Sequence, residues 1–471
     1  MSRKKLLIEN FLIYGVGSTA GKIIPIIFLP IVTRLIPNTS IYGIYDLFKT
    51  LGLFSIAFIG LGINNAMFRF NFEKESDDEY ILKVCSTSLI IVLFSGLIFL
   101  LFILLFSSLL SPVLFNTNND VMLVNILGIY VLFNVVSNII VKPFQILNQR
   151  KKVVLLSWLT PLITYSASIL MIKVWSPLPA LIFGITIAPI LTSLIGYSYN
   201  KHFFKLSQID FKLIVPLLKF GLPLVPIFLI YGVFHSMDRI MISKFLGAGY
   251  LGLYAIGAKL GLISSLISTA FMKGYQHFLF STMHYEDRVE KNSMIVDFFV
   301  VVIFLAFVII NPLIKPLFSI IFAKEYLEGY VVASYLFLGP LFMTIYQLSA
   351  SQNQIDKKSY IITLLLLPGL IINIILNWFL IPVLGIEGAA IGTLSGYFLS
   401  MVMSLLITSK RKLIIVDKKT ILTLSILSVF IAINYFIKDS VISQTILSLI
   451  GCGLLAVIYN SEIKKKVGFL K

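Results

Sequence analysis

The chain has 471 residues, of which 58% are hydrophobic and only 13% are charged, and its mean hydropathy is +0.98. A soluble globular domain contains about 45–50% apolar and about 25% charged residues, so this composition excludes a water-soluble enzyme. The net charge of +17 does not require a nucleic-acid partner, because the cytoplasmic loops of membrane proteins are enriched in lysine and arginine.

Apolar stretches recur along the whole chain and predict an all-α integral membrane protein. A transmembrane helix needs about 20 predominantly apolar residues, and about 14 such spans fit the sequence. The first is interpreted as a retained span rather than a signal peptide, because Glu9 and Asn10 interrupt its apolar run and the pattern continues to Ile36. The predicted spans are 10–34, 43–67, 84–110, 121–143, 153–174, 178–199, 213–237, 249–272, 294–318, 328–350, 360–381, 386–409, 420–437 and 443–459.

The distribution of basic residues sets the orientation of these spans. With the N-terminus in the cytoplasm, 27 of the 38 lysines and arginines fall in inside segments and 7 fall in outside segments. This asymmetry agrees with the positive-inside bias. It predicts that both termini, the 150–152 region and the 410–419 region are cytoplasmic.

Two parts of the sequence resemble each other after the first and the seventh span. The first reads LIP at 35–37 and YGIY at 42–45, and the second reads FLG at 245–247 and LGLY at 251–254. In each copy, a short turn with apolar residues is followed by the pattern G-[IL]-Y at the start of the next span. Such a repeat is typical of transporters built from two related bundles, with the substrate path between them.

The repeat predicts two six-helix lobes around a central cavity, followed by two additional helices. The lobes are assigned to 1–212 and 213–412, and the last two helices with a basic cytoplasmic tail to 413–471. The spans before both copies of the motif contain prolines, which kink membrane helices. Pro25 and Pro223 are therefore hinge candidates, although proline is also common in membrane helices of no special function.

Lysines within the spans are the most informative residues. Lys22 lies about a dozen residues, or roughly 18 Å, from either end of its span, and Lys259 is similarly central in the eighth span. An ammonium group facing lipid there costs at least about 3 kcal/mol, so both are expected in an aqueous or paired interior. Lys49 lies one helical turn from Asp46.

Other charges lie closer to the ends of spans. Arg69 and Lys273 are near cytoplasmic ends, where long side chains commonly reach the interface and need no further role. Asp238 precedes Arg239 at the outer end of the seventh span. This neighbouring pair fits a structural ion pair as well as it fits ion coupling.

No pattern of catalytic, metal-binding or cofactor-binding residues was found. The sequence has two cysteines, Cys85 and Cys452, without a C-x-x-C motif, and its four histidines lack metal-binding spacing. The segment Gly15–Lys22 departs from a nucleotide-binding loop, because Val16 replaces the first glycine and Ile23 follows the lysine. No catalytic residue, metal or cofactor is therefore predicted, and the protein is not expected to be an enzyme.

Three groups of residues, in order along the chain, resemble the Wzx-type polysaccharide flippases of the multidrug/oligosaccharidyl-lipid/polysaccharide exporter superfamily. They are 33–37 with 42–45, then 238–239 with 245–247 and 251–254, and finally 381–382 with 384–392. The resemblance covers essentially the whole chain. It implies transfer of an undecaprenyl-pyrophosphate-linked oligosaccharide across the bacterial cytoplasmic (inner) membrane, for O-antigen, lipopolysaccharide or another surface polysaccharide.

The resemblance also implies roles and partners. Cationic cavity residues would hold the anionic head group, which selects Lys22, Lys49 and Lys259, with Arg69 and Lys273 at the cytoplasmic mouth. Asp46 and Asp238 are the candidates for ion coupling. The expected partners are the lipid-linked oligosaccharide, membrane lipids, and a polymerase and glycosyltransferases of the same pathway.

Two alternatives belong to other functional classes. A multidrug/cation antiporter of the same fold would favour acids at mid-membrane, where this sequence has lysines. A membrane polysaccharide polymerase would carry a large outer loop, and the loops here are short.

Overall fold

The computed structural model describes residue 21 and residues 23–73, 77–115, 120–147, 149–281, 285–355, 358 and 360–460. Within these ranges the chain is helical and contains no strand. The helices are α1 (Ile23–Leu35), α2 (Thr39–Ile59), α3 (Ile63–Glu73), α4 (Asp78–Phe115), α5 (Val121–Ile140), α6 (Lys142–Ile146), α7 (Arg150–Ile172), α8 (Pro177–Asn200), α9 (Ile214–Gly221), α10 (Val225–Phe245), α11 (Ala248–Gly257), α12 (Lys259–Ser281), α13 (Arg288–Ile321), α14 (Tyr330–Ala350), α15 (Gln352–Ile355), α16 (Tyr360–Leu384), α17 (Ile386–Lys410), α18 (Lys418–Ile437) and α19 (Val441–Ile458).

Thirteen helical stretches in the described ranges are long and apolar enough to cross a membrane, and α1 is a shorter apolar helix. Together they follow the order of the fourteen predicted spans. The prediction of an all-α, multi-pass membrane protein is thereby confirmed.

The second predicted span is broken near its end. Asn38 caps the start of α2, where its Oδ1 accepts a hydrogen bond from the Ser40 amide at 2.9 Å. The helix ends at Ile59, and Leu61 and Gly62 then take positive φ angles of 49° and 66°. A Cβ on Gly62 would lie 2.3 Å from the Gly221 carbonyl oxygen, so this turn packs directly against α9. The amphipathic α3 begins beyond it.

The connection between α8 and α9 is bound to the side of α4. Ser86 Oγ donates to the Phe203 carbonyl at 3.1 Å and accepts from the Lys205 amide at 3.1 Å. Thr87 Oγ1 accepts from the Asp210 amide at 3.0 Å. The segment that precedes the predicted lobe boundary at 212 is therefore fixed to the N-terminal helices.

Contacts between Cα atoms divide the chain into two compact units, Met1–Gly252 and Leu253–Lys471. The first unit includes α10 because this helix packs along α2. The assignment of lobes to 1–212 and 213–412 rests on sequence similarity instead, and it stays a prediction.

A buried polar network joins the last two helices to the other helices of the second unit. Asn311 of α13 donates to Asn434 of α18 at 2.7 Å and accepts from Ser334 of α14 at 2.9 Å. Gln444 of α19 donates to the same Asn434 oxygen at 3.0 Å. Since polar side chains inside a membrane need partners, this network fixes the position of α18 and α19.

Candidate functional site

A buried ion pair joins α2 to α10 in the first unit. Arg239 donates from Nε to Asp46 Oδ2 at 2.9 Å, and its Nη1 lies 3.4 Å from Asp238 Oδ1. The two carboxylate side chains are only 5% and 4% exposed, and the arginine side chain is 22% exposed. One guanidinium group therefore contacts two carboxylates from different helices.

Further hydrogen bonds fix the geometry of this pair. Arg239 Nη1 also donates to the His235 carbonyl at 2.7 Å, one turn earlier on α10. Asp238 Oδ1 accepts from the Arg239 backbone amide at 2.8 Å. Because a planar guanidinium presents several donors in a fixed arrangement, Arg239 can bind both acids and the backbone at once.

The two copies of the sequence repeat contact each other beside this ion pair. A Cβ on Gly43 would lie 1.9 Å from the Ala248 carbonyl oxygen, and a Cβ on Gly252 would lie 2.0 Å from the Thr39 carbonyl oxygen. Each glycine thus touches the carbonyl four residues before the other glycine. The start of α2 and the start of α11 cross with approximate two-fold symmetry, and only glycine permits so close an approach.

Lys49 lies one turn further along α2 and is half-buried. It is within electrostatic range of both Asp46 and Arg239. Asp46 forms an ion pair with Arg239 of α10. The sequence placed Asp46 and Lys49 on one face but gave no indication of the partner on α10.

Arg69 is exposed on α3, close to aromatic side chains. Its guanidinium lies 4.7 Å from the centre of the Phe220 ring on α9. Lys142 of α6 lies 4.9 Å from the centre of the Phe68 ring. Two cations and two aromatic rings therefore lie together at this end of the first unit.

Lys259 begins α12, directly after the interruption at Ala258 that separates it from α11. It is half-buried, and the glycines on either side pack against the first turns of α14 and the residue before it. A Cβ on Gly257 would lie 2.4 Å from the Gly329 carbonyl oxygen, and one on Gly261 would lie 2.7 Å from that of Leu336. These glycines therefore act in helix packing.

The remaining predicted site residues are less fully described. Lys22 lies outside the described residues, and so does the side chain of Lys273. Pro25 lies within α1, which continues without a break from Ile23 to Leu35. Pro223 lies in the 3₁₀ turn Leu222–Leu224, which separates α9 from α10.

A second buried ion pair in the second unit was not predicted. Lys438 pairs with Glu387, the second residue of α17, and Tyr335 donates a hydrogen bond to the other Glu387 oxygen at 3.0 Å. The Glu387 side chain is only 8% exposed. The only hint of this pair in the sequence is the opposite charge of two residues at the predicted outer ends of spans. Sequence spacing alone does not show which spans are neighbours.

The comparisons with known proteins agree with this architecture. Residues 7–274 match the model of a family described as polysaccharide biosynthesis protein, whereas no curated protein matches the sequence. The structure resembles the lipid II flippase MurJ in an inward closed conformation, with a TM-score of 0.69 and 15% identity over 97% of this chain and 99% of that chain.

Multidrug transporters are also similar in structure. An inward-facing MATE family transporter of the MOP superfamily gives a TM-score of 0.61 and 14% identity, over 85% of this chain and 94% of that chain. The Vibrio cholerae MATE transporter VcmN gives 0.59 and 13%, over 86% and 97%. At such low identity these similarities show a shared transporter fold.

Proposed function

The chain belongs to the polysaccharide biosynthesis protein family, and on this basis we propose that it is a flippase for undecaprenyl-pyrophosphate-linked oligosaccharide repeat units. It moves them from the cytoplasmic to the outer leaflet of the bacterial cytoplasmic membrane. The observation that carries the proposal is a family match over residues 7–274 in a chain with a full-length transporter fold.

The physical problem favours a cationic path. A pyrophosphate carries several negative charges and an oligosaccharide is strongly hydrated, so neither crosses about 30 Å of hydrocarbon unaided. Lys22, Lys49 and Lys259 are proposed to bind the head group within the membrane, while Arg69 and Lys273 receive it at the cytoplasmic mouth. Lysine binds phosphate as a point charge rather than as a bidentate fork, which suits a substrate that must be released.

The contacts between α2, α10 and α11 are proposed to close the outer end of this path. Release outward then requires the Gly43–Gly252 crossing to separate and the Arg239–Asp46 pair to break or exchange. Asp46 and Asp238 are the groups whose protonation or cation binding could couple this step to an ion gradient, because they share one guanidinium.

Complementation of a strain that lacks its repeat-unit flippase tests the proposal. Lys49→Ala and Lys259→Ala should each reduce surface polysaccharide roughly tenfold or more, since charge-assisted contacts contribute about 1.5–3 kcal/mol. Lys→Arg variants should retain part of the activity. Lys244→Ala, an exposed lysine of α10, is the matched control.

The amount of each variant in the membrane must be measured as well. A purely structural lysine would lower the amount of folded protein instead of the activity per molecule. Full complementation by the Lys49→Ala, Lys259→Ala double variant at normal abundance would contradict the proposed role of these residues.

The alternative is a multidrug/cation antiporter, which the similarity to MATE transporters favours. Buried acids could bind a cationic drug, but both Asp46 and Asp238 already contact Arg239. Expression in a drug-sensitive strain distinguishes the two functions. Resistance to cationic dyes without restored polysaccharide would favour the antiporter.

A further inference from the structure

The break between α2 and α3 opens a cavity of about 240 Å³ in the first unit. The turn with positive φ angles at Leu61 and Gly62 follows the end of α2. Its lining residues are Ile56, Ala57, Gly60, Gly62, Asn64, Asn65, Val92, Val135, Asn138, Ile139 and Phe228. The break between α2 and α3 therefore forms part of the cavity wall.

Three asparagines supply the polar groups of this cavity. Asn64 and Asn65 lie in the first turn of α3, and Asn138 lies near the end of α5. The Asn64 Oδ1 atom is buried without a hydrogen-bond partner in the described structure. Asn65 and Asn138 are exposed. A buried polar atom of this kind is expected to bind a ligand or an ordered water.

The chemistry of the lining indicates a neutral, hydroxyl-rich ligand. An amide side chain both donates and accepts hydrogen bonds and carries no charge. The other lining residues are apolar or glycine. Pockets for drug-sized ligands measure about 300–1,000 Å³, so a cavity of about 240 Å³ suits one small polar group such as a single sugar ring.

Arg69 places a cation next to the cavity. It follows Asn65 by four residues on α3, so the two residues are neighbours on the helix surface, about 5–6 Å apart at their Cβ atoms. Phe68 and Phe72 are exposed on the same helix, with ring centres 5.0 Å apart. A sugar in the cavity would thus have its attached phosphate near the Arg69 guanidinium.

We propose that the cavity lined by Asn64, Asn65 and Asn138 binds the sugar ring that is attached to the pyrophosphate of the lipid carrier, before translocation. This inference rests on the proposed flippase function and adds a carbohydrate subsite to it. The amides bind the ring hydroxyls, and Arg69 binds the adjoining phosphate. Its location near the cytoplasmic ends of the spans matches the side on which the substrate is made.

Binding is tested with the full chain in detergent micelles by saturation-transfer difference NMR. The probes are the methyl glycosides of glucose, galactose, N-acetylglucosamine and N-acetylgalactosamine. At least one should give a signal, and Asn65→Leu and Asn138→Leu should each lower it roughly fivefold through loss of a hydrogen bond. Ala57→Leu, which fills the cavity but keeps every amide, should lower it similarly.

The matched control is Asn134→Leu. Asn134 lies one turn before Asn138 on α5, outside the cavity lining, and donates to the Tyr130 carbonyl at 2.8 Å. It should retain the wild-type signal. If no glycoside binds the wild-type chain, or if the three cavity variants bind as well as it does, the cavity is not a sugar site.

Complementation separates this inference from the proposed function. If wild-type protein restores polysaccharide and the Asn65→Leu, Asn138→Leu variant does so equally, the subsite is wrong while the flippase function stands. If wild-type protein restores none, the proposed function fails. In that case glycoside binding lost in the cavity variants would still support a sugar-binding cavity.

Discussion

At the scale of single residues, the Arg239 ion pair shows how buried charges are tolerated in the membrane. One arginine contacts two carboxylates from two helices and a backbone carbonyl. Desolvation makes such a pair a poor source of net stability, but removing one partner leaves a buried charge uncompensated. The pair therefore specifies which helices are neighbours more than it stabilises the fold.

Arg239→Ala should lower the free energy of unfolding by about 3–5 kcal/mol, because Asp46 and Asp238 then lose the guanidinium that contacts both of them. A variant that also carries Asp46→Asn should recover part of this loss. Thermal unfolding in detergent, analysed as a double-mutant cycle, measures the difference. Additive losses for the two substitutions would show that the pair is not coupled.

The same reasoning applies to Glu387 and Lys438 in the second unit. Lys438→Ala should destabilise the protein more than Lys438→Ala combined with Glu387→Gln, since the neutral amide can keep the hydrogen bond from Tyr335. The control is Lys315→Ala, because Lys315 is 40% exposed and lies 4.0 Å from Asp439. Exposed pairs of this kind contribute only about 0–1 kcal/mol.

At the scale of elements, glycines and prolines decide how the helices approach and where they break. The Gly43–Gly252 crossing brings two helix backbones into direct contact. Gly62 and Gly221 do the same where the α2–α3 turn meets α9. In both places a side chain would separate the elements.

Gly43→Ala and Gly252→Ala should each force α2 and α11 apart, because the new Cβ would lie about 2 Å from a carbonyl oxygen. A cysteine placed at Lys244 should then react faster with a membrane-impermeant maleimide applied from outside. Gly453→Ala is the control, as a Cβ there meets nothing within 4 Å. Unchanged labelling in both variants would show that this crossing does not close the outer end.

The two hinge candidates differ in their local structure. Pro25 lies in a continuous helix, whereas Pro223 lies in the 3₁₀ turn between α9 and α10. Pro223→Ala should therefore reduce transport more than Pro25→Ala, because alanine favours a continuous helix across that break. Transport per molecule in the complementation assay measures both, and wild-type activity of the double variant would exclude a hinge at either site.

At the scale of the whole molecule, the topology is the central prediction. The 27-to-7 division of basic residues predicts that both termini and position 151 are cytoplasmic. A cysteine at position 151 should resist an impermeant reagent in intact cells and react after permeabilisation. Labelling of intact cells at this position would reverse the proposed orientation and hence the direction of transport.

The sequence by itself determined the class of the protein and the order of its spans, and it supplied the charged residues and prolines that are candidates for the transport path. Those features depend on local composition: apolar length predicts a span, and basic loops predict its orientation. The repeat marks Gly43 and Gly252 as equivalent positions, but only the structure shows that the two glycines meet.

Only the tertiary structure decided which distant residues meet. Asp46 and Arg239 are separated by 193 positions in the sequence, and their ion pair depends on how α2 packs against α10. The contact of Gly62 with Gly221 of α9 and the cavity lined by three asparagines likewise depend on segments that are distant in the sequence. Hydropathy cannot reveal such features, since it records how apolar a segment is and carries no information about which segments touch.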